Sequence, residues 1–239
     1  MAFAFLKKYF DQKKVTLLLK LFLSIDILFI LGHVGIVLFW NAKPDTLLLD
    51  AKGLGYPELF QYFKYVIIMF FVGHLIFIKK EYVYMPFLVL FLILLIDDAY
   101  QIHSKASWFF VHLFNLHAVL GIRGFIFGQL IYAMVMGSFL FGFSSLFYLK
   151  ASERIRHTFL DIFMLFTVFL FFGLGIDVVH NLLEHVYMVS PILTLIEEGG
   201  EMIALSVLAW YFCFLVLTPD KKRRFLYHYF FSNWKLKYL

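Results

Sequence analysis

Long apolar runs, broken at intervals by short basic or mixed clusters, dominate the chain, and each run is long enough to cross a bilayer as a helix. The first runs from Val15 to Trp40, after a basic, aromatic opening, MAFAFLKKYFDQKK, that reads as a segment lying on the inner membrane surface. Residues 41–58 carry the Pro, Gly and Asp of an external loop. Leu59 to Ile78 returns to the inside at Lys79-Lys80. A third run starts at Val83, stays apolar for fourteen residues, and then reads DDAYQIH from Asp97 to His103. Residues 104–120 are too polar and irregular for a span and predict an outer interfacial helix. Runs at about 122–149, 158–186 and 191–217 complete the set, with Ser190-Pro191 suited to the cap and first turn of the last.

The pattern predicts an all-α, polytopic transmembrane bundle of six spans. Outside the spans, fifteen Lys and Arg fall on one side (7, 8, 13, 14, 79, 80, 150, 154, 156, 221 to 224, 235 and 237) and three on the other (43, 52 and 105). By the positive-inside rule both termini are then cytoplasmic. Residues 1–218 read as one six-span domain and 219–239 as a cytoplasmic tail whose alternating cations and aromatics suit an anionic leaflet.

Composition excludes a soluble domain, because 63% of the residues are hydrophobic and only 15% charged. The net charge of +5 would suggest nucleic acid in a soluble protein, but here the cations sit as topology signals between spans, so the expected partner is the lipid bilayer and not nucleic acid. The single cysteine, Cys213, rules out an intrachain disulfide and a cysteine metal cage.

Ionisable residues within spans are costly and mark function. They concentrate in Gly175 to Met202, where Asp177, His180 and Glu184 share one helix stripe and Glu198 and Glu201 another. A tight hairpin turning near Val189 would set Asp177 opposite Glu201 and His180 opposite Glu198. At 1.5 Å per residue from the inner end of each span, His33 lies at about 28 Å, Asp98 at about 23 Å, Asp177 at about 29 Å and Glu201 at about 24 Å, one outer stratum in a layer about 30 Å thick. Asp26, His74 and Asp161 lie deeper or nearer the inner face. His103 is rotated about 140° from Asp98 on an ideal helix and joins them only if the helix ends between the two.

Carboxylates and imidazole converging from several helices are the chemistry by which bundles hold iron, manganese or zinc. The predicted metal ligands are Asp98, Asp177, His180, Glu198 and Glu201, with His33 and His103 as further members. The same residues also suit a proton or cation pathway, or a hydrogen-bonded structural cluster completed by Arg123. Glu184, His185 and Glu197 either join the site or are solvated among headgroups. Gly124-x-x-x-Gly128 and Ser138-x-x-x-Gly142 predict close helix approach and no chemistry.

Two stretches, Asp97, Asp98 and His103, then Glu197, Glu198, Gly199, Glu201 and Met202, resemble a group of uncharacterised bacterial multi-pass membrane proteins with D-E-x-x-x-x-H-E and E-E-G-x-E-M motifs. This chain departs from the first motif at Asp98 and Ser104. The resemblance implies a bacterial inner membrane protein in which the third and sixth spans share a site; it carries no activity. Intramembrane hydrolases of the alkaline ceramidase type are similar in their buried His and Asp, but their paired histidines four apart on a late span are missing. No H-E-x-x-H, phosphate-binding glycine loop or G-x-S-x-G occurs. Three functions fit: an intramembrane metalloenzyme acting on a lipid or other apolar substrate, a proton-coupled transporter or ion channel, and a structural or regulatory subunit.

Overall fold

The computed structural model describes residues 2–39, 55–119, 122–183 and 189–218. The basic tail, most of the loop 41–58, and Glu184 and His185 therefore lie outside the described residues. The described chain is helical, with an isolated bridge between Val119 and Ile122. Six of its helical stretches are long and apolar enough to cross a membrane.

Helix α1 runs unbroken from Ala2 to Phe39. The basic opening segment, expected to lie on the membrane surface, instead continues into the first span as one helix, with neither Gly nor Pro before Gly32 to break it. At 38 residues it is about 57 Å long, well beyond a bilayer's apolar thickness. Helix α2 (Tyr56–Gly73) starts with Pro57 in its first turn, and Glu58 reaches back to accept from the Gly55 N–H at 3.3 Å. It continues through a π-helical turn, His74–Ile78, and Lys80, at φ 58°, reverses the chain. Beside it the Lys79 Nζ donates to the Leu215 carbonyl at 3.0 Å, satisfying a group at the end of the last span.

Helix α3 (Met85–Tyr100) stops at Gln101, whose φ of 49° is left-handed, and α4 (Ile102–Phe114) follows directly. Asn115, also left-handed, ends α4. Helix α5 (Gly124–Lys150) runs back beside them. The segment expected to be interfacial is packed along the N-terminal end of α5, because Gly128 lies directly on the Ser107 backbone and Gly124 on that of Leu116. The second small-residue pair makes no such contact, since a Cβ at Gly142 would meet nothing within 4 Å.

Helix α6 (Glu153–Leu170) passes into a π-helical segment, Phe171–Ile176, then α7 (Asp177–Leu183). Helix α8 (Val189–Leu217) begins two residues before the expected start at Pro191. It is the most buried of the six spans and packs on α1, α2, α6, α7 and the π segment; α5 is the least buried. Aromatic rings fill the core between α3, α6 and α8, with Phe87 edge-on to Phe159 at 4.7 Å and Phe91 to Phe212 at 5.6 Å.

Charge also enters this core. Lys64 on α2 and Asp26 on α1 are both fully buried and pair at 2.5 Å. The ammonium also donates to the Met202 carbonyl at 3.0 Å and lies 4.5 Å from the Phe60 ring centroid, while Ser206 donates to the second Asp26 oxygen at 2.6 Å. Three helices meet at one satisfied ion pair. Removing one partner leaves a bare buried charge, so Asp26→Leu should destabilise the bundle by about 3–5 kcal/mol. The double variant Asp26→Leu, Lys64→Met should recover most of that loss. Unfolding by denaturing detergent measures both, and equal stability of the single variant and the parent would contradict the ion pair's role.

Candidate functional site: a carboxylate and imidazole basin

A basin of about 970 Å³ opens at the end of the bundle where α2, α3, α5 and α8 converge. Six carboxyls line it, those of Glu58, Asp98, Asp177, Glu197, Glu198 and Glu201, against Arg123 and His103. Trp108 and Phe125, with ring centroids 5.2 Å apart, form part of its wall.

The break at Gln101 builds one side of this basin. Had α3 continued, His103 would point away from Asp98; the left-handed residue turns the chain so that His103 Nδ1 comes to 2.9 Å from Asp97 Oδ2. Tyr132 of α5 donates to the other Asp97 oxygen at 2.6 Å. Asp97 therefore bridges His103 and Tyr132. A carboxylate only accepts, so in this contact Nδ1 carries the hydrogen, and Nε2 of the neutral ring keeps its lone pair. Asp98 accepts from Tyr65 of α2. Asp97, Asp98 and His103 each place a ligand-type atom within 4.8 Å of the other two, close enough to hold a metal ion.

The other side comes from α8 and the segment before α7. Gly173, in the π-helical turn, lies against the Glu201 carboxyl, and Gly200 against the Phe172 ring. A Cβ at Gly200 would displace the Phe172 ring, and one at Gly173 would push the Glu201 carboxyl out of its present position. Asp177 accepts from Gln129 and, at 2.8 Å, from Asn181.

Of the seven predicted ligands, Asp98, His103, Asp177, Glu198 and Glu201 line the basin. His180 does not line it and pairs with a different glutamate from the one expected: Nδ1 lies 2.9 Å from Glu197 Oε2 and Nε2 3.0 Å from Ser190 Oγ. Glu201 likewise meets Gly173, a turn below Asp177. The expected hairpin register turns at Val189, but Val189 is already the first residue of α8, so the connection lies earlier in the chain and the pairing is offset. His33 is buried on α1 and does not line this basin. Asp97 was missing from the predicted ligands; its signal was the DDAYQIH stretch, in which it occupies the first acidic position. Tyr132 gave no signal, being one aromatic among many.

The molecule is thus an all-helical protein with six membrane-length helices and an acidic, histidine-containing basin at one end of the bundle. Residues 65–217 match the model of a family described as Domain of unknown function (DUF8692), and the chain belongs to that family. The match runs from within α2 to the end of α8 and so includes Asp97, Asp98, His103, Asp177 and Glu201. No curated protein and no solved structure matches the chain.

His103 lies beyond the third span, where its hydrogen bond to Asp97 raises its pKa above the usual 6.5, against the opposing effect of burial. The raised value favours the imidazolium in the folded state, so the pair's stabilisation is complete below pH 6.5 and is lost as pH rises through the raised pKa. Titration of metal-free protein by NMR should place His103 above 6.5, and Asp97→Asn should move it down. A second expectation concerns the turn: Gln101→Gly should be tolerated, whereas Gln101→Val, β-branched at positive φ, should cost roughly 1–2 kcal/mol and displace the imidazole. Thermal melts of the two variants compare them directly.

Proposed function

We propose that this is an integral protein of the cell membrane, with the basin on its outer side, whose function is carried by a divalent transition metal held in that basin. The observation that carries this reading is the Asp97 bridge between Tyr132 and His103. A carboxylate on one ring nitrogen is the usual partner of a metal-binding histidine, because it sets the tautomer and aims the other nitrogen. His103 Nε2 and Asp98 would be the principal ligands, with Asp177, Glu198 and Glu201 available in the same basin. This is an oxygen-rich set with one nitrogen, which suits iron, manganese or zinc. Such a metal supplies Lewis acidity toward water, oxygen or a carbonyl group.

Charge supports the same reading. Six carboxyls around one basin repel each other unless protonated or compensated, and one arginine and one histidine are too few. Asp97 has a positioning role, its two oxygens engaged by His103 and Tyr132. His180, engaged at both ring nitrogens, ties α7 to α8. The reaction we favour is that of a metalloenzyme acting on a lipid or another apolar molecule.

A second reading, a proton or cation pathway, is favoured by one specific observation: the π-helical turn Phe171–Ile176 interrupts the fifth span beside Glu201, and such turns recur at functional sites. Elemental analysis of purified protein decides between the two. Iron, manganese or zinc should be bound in stoichiometric amount, Asp98→Ala should abolish it, and Asp97→Asn should weaken metal affinity about 10–100-fold. Metal-free protein that conducts protons or cations in liposomes would reverse the order of the readings.

A further inference from the structure

Beneath the basin, toward the middle of the bundle, lies a second cavity of about 220 Å³. Its walls are apolar: Leu90 and Leu94 of α3, Met136 and Leu140 of α5, Phe166 and Phe169 of α6. Its upper end is polar and shared, since Asp98, His103, Gln129, Gly173 and Glu201 line both spaces. From Tyr132 to Leu140 is eight residues along α5, so the slot reaches about 12 Å down from the carboxyl cluster. It is elongated and polar at one end only.

The apolar lower walls favour an apolar guest there, as in other apolar cavities. Its position within the spans makes the surrounding guest a hydrocarbon chain. The α5 wall also provides a way in. Helix α5 is the least buried span and packs mainly on α4, only lightly on α6. Gly137 lies in that wall, is exposed, and has no atom within 4 Å of where a Cβ would stand.

We propose that the slot binds one fatty acyl chain, admitted from the bilayer past Gly137, with its polar end delivered to Asp98, His103 and Glu201. The proposal rests on the metal reading for what that polar end meets, because a fatty carboxylate among six carboxyls needs an intervening cation. It names the substrate class of the basin as an acyl amphiphile.

The test uses full-length protein in phosphatidylcholine vesicles with a fatty acid bearing a photoreactive diazirine at its chain end. Labelling should map to Met136, Leu140 and Phe166 and be displaced by excess unlabelled fatty acid. Gly137→Phe places a ring at the opening through which the chain would enter and should lower this labelling about tenfold or more. Gly142→Phe, equally open but off the slot, should leave labelling unchanged, and neither variant should change metal content. Labelling confined to lipid-facing residues such as Phe139 and Phe141, without displacement by fatty acid, would overturn the proposal. The displacement arm needs no variant and decides the matter even if Gly137→Phe does not fold. Metal-loaded protein left unlabelled in the slot sinks the acyl site alone. Labelled but metal-free protein keeps the acyl site and sinks the metal reading.

Discussion

A lysine and an aspartate buried in apolar spans persist only in each other's company, and the pair Lys64 and Asp26 sets the orientation of three helices at once. Lys64 faces α1 and α8, so Tyr65, the next residue and about 100° around α2, faces α3 and reaches Asp98. On α8, Met202 gives its carbonyl to the lysine and Ser206 its hydroxyl to the aspartate. That rotation presents Glu201 to the basin. One electrostatic contact in the core thereby aims two of the groups that make up the candidate site.

The second organising feature is the closeness of α8 to the irregular stretch before α7. Gly173 against Glu201 and Gly200 against Phe172 bring the backbones together where the π-helical turn widens the helix. The result is a carboxyl group held at the boundary between two spaces of opposite character, a wide acidic basin and a narrow apolar slot. The aromatic core between α3, α6 and α8 lies on the far side of that boundary from the basin and gives the slot its rigid walls.

Much of this was legible in the chain. The six spans follow from run length and hydropathy, and Asp98, Asp177, Glu198 and Glu201 stand out because charged residues in such runs need a reason. The rest depended on contacts with no local signature. Asp26 and Lys64 are 38 positions apart on different helices, with no spacing to join them. The change of phase at Phe171–Ile176 has no reliable pattern beyond its two glycines, and nothing in the run marks that α8 starts at Val189, which pairs His180 with Glu197 and not Glu198. The break at Gln101 carries neither Gly nor Pro, so whether His103 would approach the acidic pair stayed conditional until the backbone was known.

That break has a consequence for how the chain can vary in length. Because Gln101 divides one helix into two, the six positions from Asp97 to His103 act as a ruler joining a carboxylate on one rod to an imidazole on the next. Adding or deleting a single residue within α4 ahead of His103 would swing the ring by about 100° and advance it by about 1.5 Å. Apart from position 101, whose positive φ disfavours β-branched residues, side-chain identity between the two can drift; the tally of residues cannot.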